Sequence, residues 1–391
     1  MDKKKPFDIN QTWLQCIGCG QKQDLLDERM FKCPNCDNLF EVGHDFSLLK
    51  MRSDLFRAVF EGRANSVSSC IGPSWSRSGI WRYKELIMPY LPEKDIITLG
   101  EGIVPIIPAG KNLLKWIGGD IDLWLILEGM TPTGSFKDFG MTVMISVAKT
   151  AGIEAVVCAS TGDTSASVAA YAAAAGMKCA VVLPKGKVTA VQLAQPLVHG
   201  AMVITIPGDF DACMKVVWDL VENYKAYPAN SLNSSRIEGH QATMFQIAQF
   251  LHWELPDWIA LPVGNGSNCS SIAKGLRTLK EVSLVDPNLF ENRAKILGCQ
   301  SRAANPLSRS WPADLIPYYK MIDRLSAWQV IYQPMEVGET TATAALIGDP
   351  VSWEKVMRGV VASNGTMTTS NEQDLNEAVA VCGKDGIFVC P

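Results

Sequence analysis

The chain has 391 residues, enough for two or three domains at about 150 residues each, and is 47% hydrophobic and 19% charged, which excludes a disordered chain. Thirty-six basic against forty acidic side chains leave a formal charge of −4, so no general cationic field draws nucleic acid or anionic lipid. Met1-Asp2-Lys3-Lys4-Lys5-Pro6 is not followed by an apolar signal core, so the twelve cysteines are expected as reduced thiols in the cytoplasm.

Residues 1–43 carry Cys16-x2-Cys19 and, after thirteen residues, Cys33-x2-Cys36. Two such turns can aim four sulfurs at one tetrahedral Zn²⁺, predicting a separate zinc-ribbon-like module with a structural metal. Reduced thiols in a degenerate site are the bland alternative. Asp24, Asp27, Glu28 and Asp37 stand among its lysines, which argues against a nucleic-acid ribbon. From His44 to about Glu101, tryptophans 75 and 81 and prolines 73, 89 and 92 suggest a connecting region wrapped on the main body.

The run Thr131-Pro132-Thr133-Gly134-Ser135-Phe136-Lys137-Asp138-Phe139-Gly140 sets one lysine after a polar turn and before a helical pattern. Near a cationic helix end and out of bulk water its neutral amine is favoured, as imine formation with an aldehyde cofactor requires. A surface lysine at a helix start is the alternative. Apolar β-branched runs at 155–158, 179–183 and 202–206 then alternate with helical segments, which predicts a parallel α/β sheet. The apolar stretch Thr164 to Pro184 is broken by Gly176 and Lys178 into a helix-like and a strand-like half, so no membrane span is expected. The turn Thr161-Gly162-Asp163-Thr164-Ser165, between a strand and a helix read as 166–175, makes an anion cradle. After a polar crossover at Asn230 to Gln241, strand 258–263, loop Gly264-Asn265-Gly266-Ser267-Asn268 and a helix from about Ser270 repeat the device, and 295–299 reads as a further strand. Each loop alone could be an ordinary Gly-rich turn. Two loops at strand ends plus the lysine point to a ligand held between two α/β domains.

Gly134-Ser135-Phe136-Lys137-Asp138, Cys158-Ala159-Ser160-Thr161-Gly162-Asp163-Thr164-Ser165, Asn230-Ser231-Leu232-Asn233, Pro256-Asp257-Trp258 and Ile347-Gly348-Asp349-Pro350 resemble threonine synthases of the plant-like branch. These are pyridoxal-phosphate enzymes of the tryptophan-synthase-β kind, fold type II, and the likeness runs from about His44 to Pro391. It implies open twisted sheets divided as 1–43 ribbon, 44–135 extension and first part of a large domain, 136–229 small domain and 230–391 large cofactor domain. It implies that Lys137 is the Schiff-base lysine and that Gly264, Asn265, Gly266, Ser267 and Asn268 cradle the cofactor phosphate. Ser160, Thr161, Gly162 and Thr164, with Ser135, would receive the substrate, and Asn230, Ser231 and Arg236 its phosphate, where a guanidinium fork suits a dianion. The alternative for Arg236 is a surface ion pair with Glu238. Asp163 stands where many members of the wider fold have Asn beside the cofactor's phenolic oxygen, so one of the two groups must hold a proton.

The implied reaction takes O-phosphohomoserine and water to threonine and phosphate, with Lys137 shuttling protons, in a cytoplasmic homodimer. Cysteate synthase, which replaces the phosphate of phosphoserine with sulfite, or another pyridoxal-phosphate replacement enzyme is the same-fold alternative. A non-catalytic scaffold using the ribbon for nucleic acid is the alternative of another class. The family also implies a continuation past Phe388-Val389-Cys390-Pro391, read as a strand, into a His-Thr-Gly turn and more helix whose threonine meets the pyridine nitrogen. A chain stopping at Pro391 is therefore expected to retain cofactor weakly and to recover on extension.

Overall fold

A computed structural model describes residues 7–26, 31–65, 72–160, 162–186, 190–208, 210–311 and 331–390. The chain divides into two units, Met1–Ile103 with Met130–Gln246, and Val104–Gly129 with Ile247–Pro391.

In the first unit, Lys22–Asp24, Thr12–Cys16 and Phe40–His44 form an antiparallel three-stranded sheet in that order. Its outer strand alternates buried and half-buried residues from Phe40 to His44, so one face lies on the body. The region expected to wrap on the main body buries its apolar residues deeply: Ile80, Trp81, Tyr83, Leu86 and Ile87 are fully buried. All but Ile80 lie in helical turns of three and four residues, Trp81–Tyr83 and Lys84–Ile87, too short for a periodicity test. The buried Glu101 carboxylate accepts hydrogen bonds from the hydroxyls of Ser78, Thr98 and Tyr171 and from the Leu99 N–H, at 2.7–3.0 Å, which ties this region to the neighbouring helix.

The four-stranded sheet of this unit runs Met202–Ile206, Lys178–Pro184, Ala155–Ala159, Tyr227–Pro228, all parallel, as the β-branched runs predicted. Parallel neighbours need crossover helices, here Asp163–Ala175, Ala190–Val198 and Phe210–Tyr224. Val156, Cys158, Val181 and Leu183 pack with Met141, Met144, Ile145, Val168 and Tyr171, whereas Val157 and Val182 pack with Cys213, Val217 and Val221. Helix Asp163–Ala175 starts three residues before the expected Ala166, because the Ser165 N–H and hydroxyl both turn back onto the Gly162 carbonyl. It stops at Gly176, whose φ of +70° is a left-handed cap. The expected polar crossover at 230–241 contains a helix, Ser234–His240, in which every residue is buried.

In the second unit, Trp258–Pro262, Lys295–Ser301 and Thr366–Ser370 form a parallel sheet in that order, with helices Ser267–Glu281, Trp353–Ala362 and Glu372–Lys384. Asp385 accepts from the Asn112 and Leu113 N–H groups and the Asn112 side-chain amide, capping helix Lys111–Ile117. Phe388–Cys390 form no strand, and Phe388 is 95% exposed, so no pleated face is packed there. Among the described residues no helix is long and apolar enough to cross a membrane.

Candidate active site

Lys137 opens helix Lys137–Thr150 and is half-buried, its Nζ lying 3.7 Å from the Phe136 ring centroid. The turn before it is fixed by short bonds. Gly134 takes φ +87° and donates its N–H to the Thr131 carbonyl, and the Thr131 hydroxyl donates to the Ser135 carbonyl at 2.8 Å. The buried Asp138 carboxylate accepts from the Thr133 N–H and hydroxyl at 2.8 and 2.6 Å and from the Ser167 hydroxyl at 2.7 Å. One carboxylate thus ties the lysine turn to helix Asp163–Ala175. Ser135 accepts the Lys137 N–H at 3.2 Å.

At the end of strand Ala155–Ala159, Ser160, Gly162 and Thr164 are half-buried and Asp163 is exposed in the first helical turn. Thr161 lies outside the described residues. Asn230 extends the sheet with its side chain: its amide oxygen accepts the Ala159 N–H at 3.2 Å, and its amide nitrogen donates to the Ala159 carbonyl at 2.8 Å. Asn233 caps helix Ser234–His240 by accepting the Ser235 N–H. The Asn-Ser run therefore meets the Ser160 turn at one sheet edge.

Helix Ser234–His240 packs backbone to backbone on helix Lys137–Thr150. A Cβ on Gly239 would land on the Phe139 carbonyl oxygen, and one on Gly140 would come within 2.6 Å of His240 Nε2. Arg236 is 1% exposed and makes no surface pair with Glu238. Its Nη1 donates to the Ala229 carbonyl at 3.0 Å, while Nε and Nη2 have no partner among the described residues. Burial draws this guanidinium down to about 10. His240, one turn on, is also fully buried beside Phe136, with ring centroids 5.2 Å apart. Sequence reading passed over it, and its spacing from Arg236 was the one signal available.

The other side of that helix meets the amino-terminal sheet. The Ser234 hydroxyl donates to the Phe40 carbonyl at 2.7 Å. Glu238 meets His44 Nε2 at 3.2 Å and accepts from the Gln241 side chain at 2.9 Å, all buried. The four cysteine sulfurs of this sheet's turns lie within 4.8 Å of one another, with Cys16–Cys36 at 3.4 Å and Cys19–Cys33 at 3.6 Å. A tetrahedral Zn–S₄ centre with bonds of about 2.3 Å has sulfurs roughly 3.8 Å apart, so the donor set fits a metal. Burial raises the Cys16 thiol to about 12, and the Gln21 N–H lowers Cys19 to about 7.

In the second unit, Gly264 to Asn268 lead from strand Trp258–Pro262 into the fifteen-residue helix Ser267–Glu281, three residues earlier than expected. Gly266 caps it at φ +88°, where a Cβ would meet Val356 at 2.7 Å. The Asn265 side chain accepts the Val351 N–H at 2.7 Å, and Asn268 donates to Glu128 at 3.2 Å while its buried Oδ1 has no partner among the described residues. The N–H groups of the first turn stand at the dipole's positive end, a setting that fits a phosphate.

The chain matches the description "Pyridoxal-phosphate dependent enzyme" over residues 97–391. It is 36% identical over 384 residues to threonine synthase of Methanocaldococcus jannaschii, spanning 96% of this chain and 84% of the relative. It is 35% identical over 375 residues to threonine synthase 2, chloroplastic, of Arabidopsis thaliana, spanning 94% and 67%. Maize serine racemase superposes with a TM-score of 0.59 at 17% identity, covering 78% of this chain and 79% of that one, which shows the fold. A half-buried lysine at a helix start, a glycine loop at a helix end and these matches have one meaning: the chain belongs to the threonine synthase family of pyridoxal-phosphate-dependent, fold type II enzymes.

Proposed function

We propose that the chain converts O-phospho-L-homoserine and water to L-threonine and phosphate. The observation that carries this reading is Arg236, buried with two guanidinium nitrogens that have no partner among the described residues, on a helix packed against the one that Lys137 opens. Pyridoxal phosphate, when bound, supplies an electron sink for the substrate's α carbon. Lys137 would hold its aldehyde carbon and the 264–268 loop its phosphate. Asp163 would meet its phenolic oxygen, with one proton between the two. Ser135, Ser160, Thr161, Gly162 and Thr164 receive the substrate, and Lys137, once released, moves protons at its α and β carbons. Arg236 and Ser231 hold the phosphate that leaves from Cγ, before water adds at Cβ. Asn230, whose amide is engaged on both sides with Ala159, shapes that pocket edge.

Arg236→Ala should raise KM for phosphohomoserine roughly tenfold to 150-fold, since a hydrogen bond to a charged group contributes about 1.5–3 kcal/mol, with cofactor affinity little changed. Steady-state kinetics and a cofactor titration check this. Equal loss of both would place Arg236 against the cofactor instead.

Cys16, Cys19, Cys33 and Cys36 are proposed to hold one structural Zn²⁺ per chain. Their sheet braces helix Ser234–His240 through Phe40, His44, Ser234 and Glu238, so zinc removal should raise KM for the phosphorylated substrate as well as loosen the ribbon. Metal analysis of protein purified without chelator checks the stoichiometry, and finding no zinc would refute it.

A further inference from the structure

Arg236 and His240 are four residues apart, on one face of helix Ser234–His240. Arg236 Nε and Nη2 are buried with no partner among the described residues, and the His240 imidazole is fully buried. A core histidine ordinarily donates to a carbonyl or carboxylate. The carboxylate nearest in sequence, Glu238, is engaged with His44 and Gln241 instead. The charges acting on His240 are both cationic, Arg236 from its own helix and Lys137 from the helix packed against it, and the Phe136 carbonyl is the backbone acceptor that opposes them. The ring also has a reserved place, because a side chain at Gly140 would collide with it. Two orphaned guanidinium nitrogens and a buried imidazole on one face, beside two cations, form an arrangement that an anion completes.

We propose that His240 is a substrate-binding residue that receives the substrate's phosphate together with Arg236. This rests on the assignment of Arg236 to that phosphate. Burial and the two cations hold the imidazole well below the ordinary histidine value, hence neutral. A dianion placed against it offsets both cations and favours the imidazolium, so binding draws one proton from solvent onto the ring. The site then presents cationic donors from two side chains to the departing phosphate.

The test uses the enzyme loaded with pyridoxal phosphate, so that the cofactor's own phosphate site is filled, and ethyl phosphate as probe. At about pH 8 this monoester is already a dianion, its second pKa being about 6. Calorimetric titration in two buffers of different ionisation enthalpy reads proton uptake. The wild type should take up a proton on binding. His240→Asn should bind roughly ten- to a hundredfold more weakly, without uptake, and His240→Gln should do the same if the asparagine variant folds poorly. Arg236→Ala is the control. If His240 variants keep wild-type affinity while Arg236→Ala loses it, the role of His240 is overturned and the Arg236 assignment stands. If neither variant loses affinity, both fall. Absence of proton uptake in the wild type also overturns the proposal.

Discussion

Lys137→Ala is expected to abolish threonine formation, lowering kcat/KM by at least about a thousandfold, because one side chain both holds the cofactor and moves the protons. The fold should survive. The lysine turn is pinned by Asp138 through Thr133 and Ser167, and none of those bonds involves Lys137's side chain. Among the contacts the substitution removes is that of Nζ with the Phe136 ring at 3.7 Å, worth about 0.5–1 kcal/mol at a partly exposed site. Borohydride reduction followed by mass spectrometry should fix cofactor to Lys137 in the wild type and to nothing in the variant. Cofactor still fixed to the alanine variant would mean that another lysine carries it.

Gly239→Ala is expected to be the most damaging substitution outside the reacting groups. Its Cβ would overlap the Phe139 carbonyl oxygen and sit 3.0 Å from the Gly140 Cα, all backbone atoms that no rotamer change can move. Helices Ser234–His240 and Lys137–Thr150 would have to separate, at a cost of about 3 kcal/mol or more, which lowers Tm by roughly 6–12 °C in a domain of this size. Phosphohomoserine KM should rise with it, since Arg236 and His240 ride on the displaced helix. Gly62→Ala is the contrast. Gly62 lies in helix Ser53–Asn65 with nothing within 4 Å of its would-be Cβ, so alanine there should stabilise by about 0.5–1 kcal/mol. Equal melting temperatures for Gly239→Ala and wild type would contradict the packing described here.

The turn that holds Lys137, the glycine loops at strand ends and the gathering of the two cysteine pairs were legible because short local patterns carry them. The parallel strands were legible for the same reason, although both loop-bound helices start three residues early, at Asp163 and Ser267, where serine and glycine turns pass directly into helix. Helix Ser234–His240 was not legible as core. Its serines, arginine, glutamate and histidine read as a polar crossover, and its burial depends on partners remote in sequence, such as Phe40 for Ser234 and His44 for Glu238. His240 was missed with it. The Thr366–Ser370 strand was also missed, because its TMTTS run is short and mostly polar and its partner, the Lys295–Ser301 strand, is remote in sequence.

The most direct test incubates the pure chain, supplied with excess pyridoxal phosphate, with O-phospho-L-homoserine and measures threonine and inorganic phosphate over the same time course. Equal amounts of the two, absent without cofactor, are predicted. Phosphate without threonine, or cysteate from O-phosphoserine and sulfite with no turnover of phosphohomoserine, would contradict the assignment.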